Sequence, residues 1–396
     1  MKLSERINGM QSSPIRKLVP YAAQARAAGK KVYPLNIGQP DIKTPAGFFE
    51  AVQGFRQEVL AYADSQGDKA LIEAISKYYK TNNMDFNPED ILITNGGSEA
   101  LLFAIIALCD PGDAITVIEP FYTNYNGFAA SVNVEVEGIL TSADNGYRLP
   151  DKETFKANIS DKVRAIVLTN PSNPTGVVYT KEELQMVVDV ALEKDLFIIG
   201  DEVYREFVYD GEFTSLASFP EVADRVIIVD SVSKRYSACG ARIGSLASKN
   251  KDFIAGVMKL CQGRLCVPTL DMIGATALYD TPVSYFKEVN DEYKARRDVV
   301  YEALNKMPGV TCGKPQGAFY VSVKLPVDDA EKFIIWMLKE FEYNSETVMM
   351  APLESFYARK GQGVDEARIA YILNTDELAK AMVCLEKALE AYPGRK

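Results

Sequence analysis

The feature that most constrains the fold is the alternation of short apolar strands with helices between Asp90 and Ala247. Apolar or β-branched runs predict strands at 91–94, 115–118, 165–168, 196–199 and 226–229. Helices are predicted at 96–108 and 181–194, the second opening with the capping box Thr180-Lys-Glu-Glu183. Continuous apolar strands separated by helices indicate an α/β fold whose mostly parallel sheet is covered by helices on both faces.

The rest of the chain predicts a second, smaller α/β unit. The patterns indicate a helix at 283–307, a strand at 319–323, a helix at 328–341, a strand at 368–372 and a helix from Thr375. The 396 residues exceed the roughly 150 typical of one domain, and the first 44 mostly lack strand character. We therefore predict a large domain over 45–285 and a small domain formed by 1–44 and 286–396.

The sequence contains no histidine, which excludes several classes of active site. Ser-His-Asp triads, Cys-His pairs and histidine metal ligands are ruled out. A proton must then be moved by lysine, tyrosine, cysteine or a carboxylate. Six cysteines lie apart without a C-x-x-C pair, which indicates reduced thiols and no metal site.

Charge and hydropathy limit the expected partners. The formal charge of -10 argues against a nucleic-acid surface, which needs clustered Lys and Arg. No apolar run approaches the ~20 residues that span a bilayer. The charged start Met1-Lys-Leu-Ser-Glu-Arg6 lacks the apolar region of a signal peptide. We expect a cytoplasmic protein that binds neither nucleic acid nor membrane.

Three polar clusters follow predicted strands, at the edge where open α/β sheets bind ligands. They are Asn95-Gly-Gly97-Ser98-Glu99, Asn170-Pro-Ser-Asn173-Pro-Thr-Gly176 and Gly200-Asp201-Glu-Val-Tyr204. Two glycines and a hydroxyl at a helix start can bind a phosphate, and a carboxylate at a strand end can face a pyridinium nitrogen. Each cluster also has an ordinary structural explanation, as a turn or a helix N-cap.

A fourth cluster contains a lysine in a Ser-rich turn after an apolar strand. Lys234 lies close to Ser231 and Ser233, and Arg242 follows eight residues later, two before Gly244. A lysine so placed can form an imine with a carbonyl compound, while hydroxyls and an arginine hold a phosphate. This combination points to pyridoxal 5'-phosphate as the cofactor.

The motifs S-x-S-K…R-x-G and N-P-x-N-P-T-G, in this order, resemble those of the class I/II aminotransferase family. The resemblance covers essentially the whole chain. It implies the fold-type I architecture of pyridoxal-phosphate enzymes, with a large domain and a smaller α/β domain formed by both termini. It also implies a homodimer with shared active sites.

The resemblance assigns roles to individual residues. Lys234 would hold the cofactor and act as the proton-moving base, Asp201 would pair with the pyridine nitrogen, and Tyr204 and Asn173 would bind the ring hydroxyl. The phosphate would be held by Gly97, Ser98, Ser231 and Arg242. Ser233 and Glu99 are further cofactor-binding candidates, and Glu99 occupies a position where some relatives carry Gln or Lys.

Further positions concern the partner subunit and the substrate. Tyr122 would stack on the ring, and Tyr62 would reach the phosphate of the neighbouring subunit. Arg368 would bind the substrate α-carboxylate, with Gly38 adding a backbone N–H. Arg264 is the candidate for a side-chain carboxylate, but a surface or subunit contact explains it equally well.

The sequence therefore favours an enzyme that transfers an amino group from an L-amino acid, aspartate foremost, to 2-oxoglutarate. An aromatic or broad-range aminotransferase, a C–S β-lyase or a cyclopropane-forming synthase would use the same cofactor residues. A non-enzymatic alternative is the effector domain of a transcription regulator. We disfavour it because only some 30 residues precede the Gly38 motif, without a helix-turn-helix pattern.

Overall fold

The computed structural model describes residues 1–11 and 13–396. Its strands are β1 Lys31–Pro34, β2 Ile91–Asn95, β3 Ala114–Glu119, β4 Glu135–Leu140, β5 Val163–Thr169, β6 Phe197–Asp201, β7 Val226–Ser231, β8 Ile243–Ala247, β9 Thr311–Cys312, β10 Tyr320–Lys324, β11 Glu346–Met349, β12 Ala351–Pro352 and β13 Glu366–Ala370. Its α-helices are α1 Glu5–Gly9, α2 Val19–Ala27, α3 Ala46–Gln53, α4 Lys69–Thr81, α5 Gly96–Leu108, α6 Asn124–Ser131, α7 Lys152–Ala157, α8 Lys181–Glu193, α9 Val232–Arg235, α10 Lys251–Arg264, α11 Thr269–Leu278, α12 Val283–Leu304, α13 Ala330–Lys339 and α14 Thr375–Ala391.

The main sheet has seven strands in the order β2-β8-β7-β6-β5-β3-β4. All pairings are parallel except those of β8, which runs antiparallel to both of its neighbours. Side chains alternate across the sheet: Val226 and Ile228 of β7 pack on one face, Ile227 and Val229 on the other. The prediction of an α/β fold with a mostly parallel, doubly covered sheet is confirmed.

Helices cover the two faces with different apolar sets. Leu71 of α4 and Val187 of α8 lie in the core of one face, whereas Leu101 of α5 and Val257 of α10 lie in that of the other. The predicted start of α8 is confirmed, because the Thr180 hydroxyl accepts a hydrogen bond from Glu183 N and Glu183 Oε2 accepts one from Thr180 N, at 3.2 and 2.9 Å. Capping satisfies donors that the first helical turn leaves free.

Strand β8 was not predicted, and it shapes the edge where ligands bind. Its sequence, Ile-Gly-Ser-Leu-Ala, is short and carries little β-branched character. Gly244 pairs with Thr94 of β2 and with Ser231 of β7. A methyl group on Gly244 would overlap the backbone of Gly96, so only glycine lets these two segments approach so closely.

A third apolar cluster joins residues from both ends of the chain. It includes Leu18, Tyr33, Phe319, Phe333 and Leu385, among others. Around it lie the antiparallel sheet β12-β13-β10-β9 and the parallel pair β1-β11. The division into domains 45–285 and 1–44 with 286–396 stays a prediction. Within residues 1–11 and 13–396, no helix is both long and apolar enough to cross a membrane.

Candidate active site

A cavity of about 490 Å³ opens at the carboxyl ends of β5, β6 and β7. Most of the predicted site residues line it: Gly38, Gly97, Ser98, Tyr122, Asn173, Asp201, Tyr204, Ser231, Ser233, Lys234, Arg242 and Arg368. They come from separate strands, loops and helix starts, and the parallel sheet brings them together because its strands end at one edge.

Lys234 lies in the short helix α9, directly after β7. Its Nζ donates a hydrogen bond to the Gly38 carbonyl at 2.9 Å. Among the described residues no carboxylate forms a salt bridge with this ammonium group. A side chain on Gly38 would overlap Tyr320, so glycine is required where the lysine meets the N-terminal segment.

Asp201 ends β6 and is only 4% exposed. Its Oδ2 accepts a hydrogen bond from the Tyr125 hydroxyl at 2.8 Å. Within the part of the chain that the structure describes, its buried Oδ1 has no partner. Burial raises the pKa of Asp201 to about 6, although the Tyr125 hydrogen bond works in the opposite direction. A buried, unpartnered carboxylate oxygen is costly, so this atom suits a cationic N–H donor on a ligand.

Two tyrosines meet near the lysine. The hydroxyls of Tyr204 and Tyr320 are 3.0 Å apart, and the Tyr204 ring lies 6.0 Å from Lys234 Nζ. Burial raises the pKa of Tyr204, so its hydroxyl stays protonated and available as a donor. Tyr320 was not predicted as a site residue, because the β10 pattern marks it only as an apolar strand position.

Arg368, on β13, is buried beside the cavity at 2% exposure. Its guanidinium donates to Asn173 Oδ1 at 2.9 Å and to the Asn36 carbonyl at 2.6 Å. It also lies over the Tyr320 ring, 4.5 Å from the centroid. Burial lowers the pKa of Arg368. Since no carboxylate of the described residues forms a salt bridge with it, the guanidinium can bind an anion bidentately.

A second anion-binding group forms where α5 begins. Gly97 and Ser98 lie in the first turn of α5, whose free N–H groups and dipole favour a phosphate. The Ser231 hydroxyl donates to Ser233 Oγ at 2.6 Å. Arg242 adopts a left-handed backbone with φ of +55°, and its Nη1 donates to the Cys239 carbonyl at 3.0 Å.

A buried ion network lies beside the lysine-bearing turn, and the sequence did not reveal it. Asp230 forms a salt bridge with Arg235 and a second one, of 3.2 Å, with Arg205. Arg205 also pairs with Glu202 at 3.1 Å. Burial works against ionisation of Asp230, but the two guanidinium groups outweigh it and hold its pKa below the ordinary value. The signal in the sequence that could have indicated this ion network was the presence of charged residues next to the ends of apolar strands.

The family is decided by comparison with known proteins. A family model described as aminotransferase class I and II matches residues 30–383. The chain belongs to this family. The resemblance inferred from the motifs is thereby confirmed, and the chain is a pyridoxal-phosphate-dependent aminotransferase.

Relatives of the aminotransferase match along nearly its whole length. An aspartate aminotransferase of Bacillus subtilis strain 168 is 29% identical, covering 99% of this chain and 100% of the relative. A "Probable aspartate/prephenate aminotransferase" of Aquifex aeolicus strain VF5 is 32% identical, with 98% of each chain covered. The solved structure of an alanine aminotransferase from Pyrococcus furiosus superimposes with a TM-score of 0.90 at 30% identity, covering 99% and 100% of the two chains.

The residues of the aminotransferase fit pyridoxal 5'-phosphate, which acts as an electron sink when bound. Asp201 Oδ1 lacks a partner, as a carboxylate awaiting a pyridinium nitrogen would. The N-terminus of α5, the Ser231–Ser233 hydroxyls and Arg242 supply donors for a phosphate. Lys234 provides the amine.

Three predicted residues of the aminotransferase do not line the cavity of their own chain. Glu99 accepts hydrogen bonds from Asn95 N and Nδ2 at 2.8 and 3.2 Å. Arg264 Nε lies 3.7 Å from Glu99 Oε2, and its Nη2 donates to the Ile93 carbonyl at 3.1 Å. Arg264 and Glu99 pair outside the cavity lining, and a role of Arg264 at a substrate carboxylate stays a prediction. Tyr62 is 81% exposed at the surface.

Proposed function

We propose that this aminotransferase transfers the amino group of L-aspartate to 2-oxoglutarate. The amino-acid substrate is supported by Arg368, a buried guanidinium whose hydrogen-bond acceptors among the described residues are neutral, so that it can bind an α-carboxylate. A dicarboxylic substrate is supported by the described residues of the cavity lining, which include four cationic side chains and one carboxylate. The aspartate aminotransferase name of a full-length relative points the same way.

In this proposal each residue of the cavity has a defined task. Asp201 holds the pyridine nitrogen through Oδ1, while Tyr125 holds the carboxylate in place through Oδ2. Tyr204 and Asn173 bind the ring hydroxyl, and Tyr122 stacks on the ring. The phosphate lies among the donors of Gly97, Ser98, Ser231, Ser233 and Arg242. A fixed set of donors of this kind stabilises developing charge without reorganisation.

Lys234 moves the proton in the proposed reaction. Its amine would hold the cofactor, and as a free amine it would move a proton to and from the substrate Cα. The chain has no histidine that could take this task. Arg368 fixes the α-carboxylate and thereby orients the Cα–H bond toward the lysine. Gly38 adds its backbone N–H and leaves room for Tyr320.

Other substrates and reactions remain as alternatives. Relatives named for alanine and for aspartate/prephenate motivate a test of monocarboxylic and aromatic amino acids. A C–S β-lyase would share every cofactor-binding residue.

The test is a screen of single half-reactions between the holoenzyme and each common amino acid. We expect aspartate and glutamate to convert the bound cofactor at least about tenfold faster than alanine, because a built polar subsite rejects analogues that lack its partner. Loss of the cofactor's visible absorption reports each reaction, and Lys234→Ala should show none. Release of pyruvate and ammonia without a keto-acid acceptor would instead identify a lyase.

We further propose that the enzyme is a homodimer with shared sites. Phe49, Val59, Leu60, Tyr62 and Leu265 are exposed apolar or aromatic side chains. The 59–62 segment is joined to the start of α11, because Thr269 Oγ1 donates to the Ala61 carbonyl at 3.3 Å. Several exposed large apolar side chains on segments that are joined in this way support a subunit contact. A cytoplasmic location is supported by six unbridged cysteines.

A further inference from the structure

We propose that Arg235, the residue after the reacting lysine, positions that lysine for proton transfer by holding helix α9 against β7. The inference rests on the role proposed for Lys234. Arg235 is a positioning residue, because its side chain is buried and does not line the cavity.

The first argument is that α9 is too short to hold its own position. It has four residues, Val232–Arg235, and a helix of one turn is unstable in water without other contacts. Its cap is the Ser231 hydroxyl, which accepts a hydrogen bond from Ser233 N at 3.0 Å. The Lys234 amine moves during the proposed reaction, so its contact with the Gly38 carbonyl does not anchor the turn.

The second argument is the set of contacts that Arg235 makes. Its guanidinium forms a salt bridge with Asp230 and lies 4.5 Å from the centre of the Tyr78 ring. A planar guanidinium held between a carboxylate and an aromatic face is fixed in distance and in orientation. Asp230 belongs to β7 and pairs with Ser245 of β8. Arg235 therefore fastens the helix that carries the lysine to the main sheet.

The third argument is the place of the buried ion network in the sequence. Each of its four charged members is next to a residue proposed to bind the cofactor. The adjacent pairs are Asp201 and Glu202, Tyr204 and Arg205, Asp230 and Ser231, and Lys234 and Arg235. Asp230 joins the two arginines, so the network ties the loop after β6 to the turn after β7. This placement fixes the reacting groups relative to one another.

The charge balance of the network makes Arg235 open to substitution. In Arg235→Gln, Asp230 still pairs with Arg205 at 3.2 Å. Burial raises the pKa of Glu202 to about 7, although the Arg205 charge opposes this. Glu202 can therefore bind a proton and restore the balance of charge, so we expect the variant to fold.

The experiment measures single half-reactions of each holoenzyme with the amino acid that reacts fastest in the screen. The limiting rate of Arg235→Gln should fall about 10- to 100-fold, because displacing a reacting group by about 1 Å can cost 100-fold. The substrate concentration for half-maximal rate should change less than about threefold, since Arg368 is untouched. A substrate deuterated at Cα should show a larger isotope effect than in the wild type, because proton transfer becomes the slow step.

The matched control is Arg205→Gln. It also removes a buried arginine from Asp230, but Arg205 lies outside α9. Its limiting rate should stay within about threefold of the wild type. Arg235→Lys keeps the charge beside Asp230 without the planar contact to Tyr78, and its rate should lie between those of Arg235→Gln and the wild type.

Cofactor binding gives a readout that does not depend on turnover. Pyridoxamine 5'-phosphate carries an amine in place of the carbonyl and cannot bond to Lys234. Its affinity for the apoenzyme should change less than about threefold in Arg235→Gln, because Asp201, the start of α5 and Arg242 lie outside α9. The visible absorption that follows addition of pyridoxal 5'-phosphate requires the lysine amine, and it should appear about tenfold more slowly.

The outcomes separate this inference from the proposed function. Equal losses of pyridoxamine 5'-phosphate affinity and of rate in Arg235→Gln would mean that Arg235 supports the fold alone, and would overturn the inference. A wild-type rate in Arg235→Gln, or an equally slow Arg205→Gln, would overturn it as well. If Arg235→Gln yields no folded enzyme, Arg235→Lys decides, and a wild-type rate there is the contrary result. A Lys234→Ala enzyme that keeps its half-reaction would instead overturn the role proposed for the lysine.

Discussion

Asp201 and Arg368 are buried charges of opposite sign, and neither forms a salt bridge with a residue that the structure describes. Both contact neutral groups, and each keeps one buried polar atom unsatisfied among the described residues, Asp201 Oδ1 and Arg368 Nε. Buried charges are normally paired, because an unpaired one costs several kcal/mol or more. If the proposed cofactor and substrate supply the missing partners, their binding should also stabilise the protein.

Tyr125→Phe tests the setting of the Asp201 pKa. The substitution removes a hydrogen bond that lowers this pKa, so the value rises above about 6. Holding the pyridinium requires the ionised carboxylate, which is present above the pKa and lost as the pH falls through it. In a plot of cofactor affinity against pH, the acid limb, where affinity falls as the pH is lowered, should therefore move to higher pH. Titration of the apoenzyme with pyridoxal 5'-phosphate at a series of pH values measures this.

The control for this shift is Tyr147→Phe, which removes another buried tyrosine hydroxyl that does not line the cavity. It should leave the acid limb in place. An unshifted limb in Tyr125→Phe would show that the hydrogen bond does not govern the ionisation of Asp201.

At the scale of elements, strands and helices could be predicted from the sequence where a local apolar pattern marks them. The continuous apolar runs of β2, β3, β5, β6 and β7 were found because both faces of these strands are buried. Strand β4 was missed, because it lies at the sheet edge and carries two glutamates, the exposed Glu135 and the half-buried Glu137, which interrupt its apolar pattern. Strand β8 was missed because its pairing depends on neighbours remote in sequence.

The site residues, too, could be predicted from the sequence only where a local motif marks them. Lys234, Asp201 and Asn173 belong to motifs that are visible locally, at strand ends and turns. Arg16 and Tyr320 reach the cavity through packing between the two ends of the chain, and no spacing in the sequence marks them. Arg264 was considered for its position in the chain, but its pairing with Glu99 is a tertiary contact.

The junction of β7 and α9 predicts a stability effect. Asp230→Asn leaves the buried Arg235 without a counter-charge and removes one of the two carboxylates that pair with Arg205, so we expect the free energy of unfolding to fall by about 3–5 kcal/mol. Because the Asp230 pKa lies below its ordinary value, this contribution is present above about pH 4 and is lost as the pH falls further. Urea denaturation of the apoenzyme at two pH values measures both the loss of stability and its pH dependence.

A surface pair provides the comparison. Lys287 and Asp291 form an exposed salt bridge on α12, and Lys287→Ala should leave the urea midpoint unchanged, since such pairs contribute little. A loss below about 1 kcal/mol in Asp230→Asn would mean that water or a rearranged partner compensates the two arginines.

At the scale of the whole molecule, the site lies where three segments distant in sequence meet. The N-terminal turn, the edge of the seven-stranded sheet and β13 each contribute to the cavity. Tyr62 and the apolar side chains near it remain exposed on the single chain. Burying this surface in a homodimer would complete both the fold and the proposed phosphate contacts.

Hybrid dimers test the sharing of sites. Tyr62→Ala and Lys234→Ala subunits should each be inactive as homodimers at limiting cofactor. In a hybrid, the site with intact Lys234 receives Tyr62 from its partner and is complete. Random reassociation should therefore restore about a quarter of wild-type activity. The specific activity of the refolded mixture measures this, and no recovery despite confirmed hybrids would place Tyr62 outside the neighbouring site.

Gly96 and Gly244 touch through their main chains, and a methyl group on Gly96 would also overlap the Arg242 guanidinium. This close backbone packing lies next to Gly97 and Arg242 of the cavity lining, and neither glycine can take a side chain without separating β2 from β8. Ser13, Ile15 and Arg16 of the N-terminal turn line another part of the cavity. Substitutions in this turn could therefore change which substrates related chains accept, while the residues packed around the two glycines would stay the same.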